Sequence, residues 1–310
     1  MSAVLDRPKQ ARTGGKAEGT TAVHPDQTVS LRQEVVSSLP HEAPQNAAIS
    51  MHAGDRAMAE HPEQHGLHRA LVDAASARYR SGSRFAYHFA RGKLGIDPLF
   101  IDLLRLGELP ARGRFLDLGC GQAVFAAWLL AARERFEAGL WPAGWAPPPL
   151  VESLHGLELM PRDVARAQAA LVDEPRVRIE CGDICRTEFE KVDVVTIFDV
   201  LHYFGPAAQD DVLGRIRAAL RPGGLLVARV GDAAGGLRFS LSRWVDQAVT
   251  FVRGHGFSPM YCRPVDEWAH ALRVLGFHVH AFRTEGGPPF ANTMLIARLP
   301  SMETGVGAAA

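Results

Sequence analysis

A doubly wound α/β sheet, mostly parallel and closed by an antiparallel C-terminal hairpin, is the fold class that this 310-residue sequence predicts. Three observations carry the expectation. Short apolar strand-like runs alternate with helix-period segments from Arg114 onward, which implies parallel pairing through right-handed crossovers. Val194 to Val200 is a continuous apolar run, the pattern of a central strand covered on both faces. The last two runs, Phe277 to Arg283 and Asn292 to Arg298, are joined by Thr284-Glu-Gly-Gly-Pro-Pro-Phe290, a connection too short for a crossover helix.

The elements follow in order. Met1 to His68 is rich in Ala, Gly, Ser, Thr, Gln, His and Pro, shows no sustained apolar period, and reads as a disordered leader. His61 and His65 have the i, i+4 spacing of metal ligands, but no folded frame supports a site there, and no metal is expected. Residues 69–112 form a helical N-terminal cap, read as helices broken around Gly92 to Gly95. Arg114 to Gly119 is the first strand and Ala123 to Phe136 an apolar helix. Leu154 to Leu159 is the second strand, and Pro161 opens the next helix. Val177 to Glu180 is the third strand. The run to Val200 is the fourth, followed by a helix over Gln209 to Leu220. Arg221-Pro222-Gly223-Gly224 stops that helix, and Gly224 to Val230 is the fifth strand. A helix over Val265 to Leu275 precedes the hairpin, and 301–310 reads as a disordered tail. Insertions at about 137–150 and 231–262 interrupt the 113–300 frame. The second contains an amphipathic stretch at Leu237 to Val252.

Composition narrows the function. Lys+Arg and Asp+Glu are both 34, and a balanced charge disfavours nucleic-acid or anionic-membrane partners, whose affinity rests on a basic surplus. Four cysteines make no disulfide framework. Neither a signal-peptide core nor a membrane-length apolar run is present, so a soluble, cytoplasmic protein is expected.

Chemistry gathers at the first crossover, where open α/β sheets bind ligands. Asp117-Leu118-Gly119-Cys120-Gly121-Gln122-Ala123 puts glycines where the backbone must turn tightly. A dinucleotide fingerprint would need a third glycine at position 124, which is Val, and Asp117 would repel a pyrophosphate while attracting an ammonium group. On these residues the chain resembles the class I S-adenosylmethionine-dependent methyltransferases over about Phe115 to Leu299, and hence a Rossmann-like sheet. The resemblance implies that Asp117, Gly119, Cys120 and Gly121 hold the methionine part of the cofactor. It implies that Glu158 and the neighbouring Leu159 meet the ribose and adenosyl group, and that Asp183 and Ile184 meet the adenine. Asp199, His202 and Tyr203 follow the fourth strand, the segment that lines the methyl pocket in that family. Ala123 stands where the family often has a third glycine, and the insertion lengthens the gap from Gly121 to Glu158.

Methyl transfer needs alignment more than covalent help. His202 is the candidate base, because its ordinary pKa suits proton removal from an acceptor; packing at the start of a helix is its other reading. Tyr203 is the second catalytic candidate; Tyr87 and His88 lie on the cap, which commonly folds over the cofactor in the family resembled, and ordinary helix packing is their favoured reading. Arg229 is out of place, since an apolar strand rarely buries an arginine without a partner. Trp244, Phe257, Met260 and Tyr261 look like a lid over an apolar acceptor, with plain core packing as the other reading. The expectation is therefore an S-adenosylmethionine-dependent methyltransferase acting on a small, fairly apolar metabolite, with O-methylation the favoured chemistry. A NAD-dependent oxidoreductase and a non-catalytic cofactor-binding protein are the alternatives.

Overall fold

A computed structural model of the chain describes residues 62–231, 261–283 and 292–301. The elements in chain order are α1 (Pro62–Ala77), α2 (Arg84–Ile96), α3 (Leu99–Leu106), β1 (Arg112–Leu118), α4 (Val124–Glu137), β2 (Leu150–Glu158), α5 (Pro161–Ala170), β3 (Val177–Cys181) and β4 (Val192–Phe198). A single 3-10 turn, Leu201–Tyr203, follows β4. Then come α6 (Pro206–Ala219), β5 (Leu220–Gly231), α7 (Val265–Val274), β6 (His278–Arg283) and β7 (Asn292–Arg298).

The seven strands form one sheet in the order β3-β2-β1-β4-β5-β7-β6. β1 to β5 pair parallel, and β7 lies antiparallel between β5 and β6. The chain leaves β1 toward β2 and β3 and returns to the other side of β1 as β4, so the winding reverses between the carboxyl ends of β1 and β4. β4 and β5 are apolar on both faces because helices cover both. The first nine residues of α4, Val124 to Ala132, are apolar and all buried, because the sheet takes one side and α1 the other. Trp128 marks that seam, with its ring against His68 of α1 and its indole N–H donating to Phe100 O at 3.0 Å. α6 and α7 cover the opposite face through Val212, Leu213, Ile216, Trp268 and Leu272.

Several boundaries differ from the sequence reading, each for a local reason. The expected leader edge at residue 68 falls inside α1, whose Leu67, Leu71 and Ala75 are spaced every four residues and buried. The cap does not break at Gly92 to Gly95. α2 runs through both glycines and ends before Asp97-Pro98, where proline disfavours helix for the residue preceding it. β2 begins at Leu150 rather than Leu154. β4 stops at Phe198 rather than Val200, because Asp199 turns the backbone left-handed (φ 59°). The Arg221 to Gly224 turn is absorbed into β5 as an irregularity in its pairing with β4, where Gly223 takes φ 76°. In the first insertion Trp141 and Trp145 meet edge to face at 6.1 Å. The expected amphipathic helix at 237–252, and Trp244, Phe257 and Met260 of the expected lid, lie outside the described residues. Among the described residues, no helix is long and apolar enough to cross a membrane.

Candidate functional site

The site grows from the carboxyl end of β1. Asp117 closes the strand with its side chain 3% exposed, accepting a hydrogen bond from the Thr196 hydroxyl of β4 at 2.7 Å. Burial pushes its carboxyl up to about 7, and the nearby Glu158 adds to the shift against the Thr196 hydrogen bond. The chain then turns through Gly119 (φ 70°), whose N–H donates to Leu157 O at 2.8 Å. A Cβ on Gly119 would lie 2.3 Å from Val200 Cγ2, so only glycine fits under the segment leaving β4. Gly121 (φ 56°) differs: a Cβ there would have nothing within 4 Å. One glycine serves close packing and the other borders open space. Ala123 also adopts a left-handed backbone (φ 56°), which accounts for the glycine often found at that place in the family resembled.

Glu158 ends β2 and accepts the Gly121 N–H at 2.9 Å with one carboxylate oxygen and the Met160 N–H at 2.9 Å with the other. It thereby pins the glycine loop to the adjacent strand end. Each oxygen keeps a further lone pair for a donor. Behind the loop, Tyr79 of the cap donates to Gln122 O at 2.7 Å, and the Gln122 side chain donates to Asp163 at 3.0 Å. Cys120 is buried, and burial pushes its thiol well up, which leaves it no nucleophilic role at neutral pH. Leu159 is 59% exposed beside Glu158, whereas Ile184 is buried in the core. The Gly182 N–H donates to Glu158 O, bringing Asp183 next to this edge, and the Asp183 carboxylate accepts the Cys185 N–H at 2.9 Å. Asp117, Gly119, Gly121 and Glu158 thus form one connected cluster, with Leu159 and Asp183 at its border.

The fourth strand end is built differently. Asp199 is gripped by Arg229 through two parallel hydrogen bonds, Nε to Oδ1 at 2.8 Å and Nη2 to Oδ2. Arg229 Nη1 reaches Asp97 at the α2/α3 junction at 2.6 Å. Arginine holds both carboxyls down despite their burial, Asp97 to about 2. The Asp199 carboxylate, expected as a contact to cofactor or acceptor, pairs here with Arg229. His202 is 7% exposed and its Nε2 has no hydrogen-bond partner among the described residues. Burial lowers its pKa, against the pull of Asp199, so the ring is neutral at pH 7. Tyr203 stacks obliquely on it at 4.2 Å and is 40% exposed. The Tyr261 N–H donates to His202 O at 2.8 Å, returning the chain to this edge. Tyr87 sits on α2 beneath the Arg80 guanidinium, whose hydrogen bond lowers the phenol pKa.

Sequence reading missed Asp97, Lys93, Gln122 and Gln209. Gln209 is fully buried and its amide donates to Leu201 O, Phe204 O and Tyr261 O, tying α6 to the turn that carries His202. The one available signal was Arg229 itself, a charge in an apolar strand; its partners lie 30 and 132 residues away.

A glycine turn beside a strand-end acid, set at the reversal of a parallel sheet, is the ligand-binding corner of an α/β domain of the Rossmann-like type. Residues 116–226 match the family model described as a methyltransferase domain. The carboxy-S-adenosyl-L-methionine synthase of Chromohalobacter salexigens is 32% identical over 124 residues, covering 35% of this chain and 46% of that protein. The tetracenomycin polyketide synthesis 8-O-methyl transferase TcmO of Streptomyces glaucescens is 25% identical over 151 residues, covering 48% and 40%. The S-adenosylmethionine-dependent methyltransferase SibL shares the fold at a TM-score of 0.50 and 20% identity, over 73% of this chain and 62% of that one. The matches span less than half the length of these curated relatives. Over these residues the chain is similar to the class I S-adenosylmethionine-dependent methyltransferases, whose cofactor is S-adenosylmethionine. The residues present fit that group: Asp117 offers a buried carboxyl with no cationic partner among the described residues, and the open face of Gly121 leaves room for a ligand.

Proposed function

We propose that this protein transfers a methyl group from S-adenosylmethionine to a hydroxyl of a small, fairly apolar metabolite. The single observation that carries the reading is the cluster at the winding reversal, in which Glu158 pins the open-faced Gly121 beside the buried acid Asp117. The cofactor supplies an electrophilic methyl on a sulfonium. Asp117 takes the ammonium of its methionine part, Glu158 accepts the ribose hydroxyls on its remaining lone pairs, and Asp183 with Leu159 receives the adenine. Cys120 and Ile184 pack behind these contacts. His202, neutral and lacking a partner at Nε2, is the group that takes the acceptor's proton, and Tyr203 orients the acceptor beside it. The exposed rings of Tyr203 and Tyr261 favour an apolar acceptor, as do the names of relatives such as TcmO and the rat acetylserotonin O-methyltransferase. The balanced charge favours a small molecule over a nucleic acid.

The test is release of S-adenosylhomocysteine with labelled cofactor and a panel of phenols, aliphatic alcohols, amines and carboxylates. Label transferred to oxygen of a phenol or alcohol supports the reading. Cofactor binding without transfer to any acceptor supports the non-catalytic alternative, and tighter binding of NAD than of S-adenosylhomocysteine overturns the site itself.

A further inference from the structure

Lys93 and Asp97 lie at the end of the cap helix α2, and Arg229 and Asp199 at the carboxyl ends of β5 and β4. The four charges meet. Arg229 is 4% exposed and binds Asp199 with two nitrogens and Asp97 with a third, while Lys93 Nζ lies 2.8 Å from Asp97 Oδ2 and 3.8 Å from Asp199 Oδ2. Asp97 also accepts the Leu99 N–H at 3.1 Å, so its carboxylate fixes the corner between α2 and α3. At the far end of α2 the Ser83 side chain caps the helix, and Arg166 of α5 lies over the Phe85 ring at 4.5 Å. α2 therefore reaches from α5, beside the end of β2, to the ends of β4 and β5. It crosses the edge of the sheet that carries the glycine loop.

We propose that Arg229 is a positioning residue, a strap that locks the cap helix over the cofactor edge and holds Asp199 in the turn that aims Val200 and His202. Three features converge on it. Asp199 is, with Ala123, one of two non-glycine residues with positive φ among the described residues, and the Arg229 pair holds both its oxygens in that conformation. Val200, the next residue, fills the space that a side chain on Gly119 would need, so a shift of Asp199 is felt in the glycine loop. Two residues later comes His202, buried with its Nε2 unpaired. The Arg229 guanidinium binds Asp199 and Asp97, and it acts on the loop and on His202 through them. The arrangement uses two acids and two bases, so the buried charges balance within the cluster. A lysine cannot reproduce it, since an ammonium lacks the planar fork that grips a carboxylate with two nitrogens while a third reaches elsewhere.

The inference rests on the proposed cofactor site only for its consequence, and the experiment separates the two. Amide hydrogen exchange is followed in the parent, Arg229→Lys, Arg229→Met and Asp97→Asn, alongside S-adenosylhomocysteine binding by calorimetry. A strap predicts that Arg229→Lys and Arg229→Met speed exchange about tenfold or more in both 93–99 and 199–204, with α5 and α7 at parent rates. Asp97→Asn should speed exchange in 93–99 alone, because the Arg229 grip on Asp199 survives it. S-adenosylhomocysteine affinity should fall about tenfold in the Arg229 variants. Acceleration spread evenly over α5 and α7 would mean that Arg229 is an ordinary core residue, and would overturn the proposal. So would parent-like protection of 199–204 in a folded Arg229→Lys protein. Should Arg229→Met fail to fold, Arg229→Lys and Asp97→Asn decide the same question. A parent that binds no S-adenosylhomocysteine overturns the cofactor reading, while the exchange pattern still decides the strap.

Discussion

Cofactor affinity should depend on pH through Asp117. In the free protein burial raises this carboxyl to about 7, so near neutrality about half the molecules carry it protonated. A protonated carboxyl offers no charge to an ammonium group, and binding must first release the proton. The apparent dissociation constant therefore scales with one plus the ratio of protonated to ionised Asp117. Taking about 7 for the free protein and a carboxylate that stays ionised in the complex over the range titrated, affinity should rise about 25-fold from about pH 5.5 to about pH 7.5. Calorimetry with S-adenosylhomocysteine at several pH values measures it. Titrations near neutrality in buffers of different ionisation enthalpy should show about half a proton released per ligand bound. Asp117→Asn should abolish the pH dependence and weaken binding at least about tenfold, since a charge-assisted bond is lost. The same variant should be more stable than the parent at high pH. A carboxyl whose folded pKa exceeds its unfolded value makes the folded state bind more protons. Stability therefore falls as pH rises from about 4 to about 7, and the ionised group costs on the order of 4 kcal/mol above that range. An affinity flat over this range, or Asp117→Asn binding as tightly as the parent, would refute the reasoning.

Other substitutions read out the rest of the site. Gly119→Ala should lose most of its folded protein, because its Cβ would lie 2.3 Å from Val200 on a left-handed backbone. Gly121→Ala has open space, so it should cost only the strain of about 1–2 kcal/mol in thermal unfolding while abolishing S-adenosylhomocysteine binding. Glu158→Gln sets an amide N–H against the N–H of Gly121 or Met160, so both ligand affinity and stability should fall, the latter by about 1–3 kcal/mol in denaturant titration. If His202 takes a proton, His202→Ala lowers kcat by about 10²–10⁴ with unchanged cofactor affinity. The parent's pH-rate profile should then inflect below the ordinary histidine value, because burial disfavours the imidazolium. A folded variant within about threefold of parent turnover would assign His202 to packing.

What the sequence determined by itself was periodic or local. Strand and helix alternation, the apolar run at Val194 to Val200 and the short link to Asn292 carry their physics within one element or one turn, and the sheet follows their pattern. The cluster of Asp117, the two glycines and Glu158 was legible for the same reason, since each member sits at a strand end that the pattern already marks. Tertiary structure alone decided the pairings between distant charges. Nothing local in Arg229 names Asp97 or Asp199 as its partner, or says that Asp199 would be bent left-handed and paired with it. Nor does the residue type of His202 reveal that its ring is buried, because burial depends on the elements that return over it, down to the Tyr261 N–H on its own carbonyl. Periodicity reports which face of an element avoids water. The balance of desolvation against pairing that sets a buried charge is a sum over neighbours from the whole chain, and only the folded arrangement supplies it.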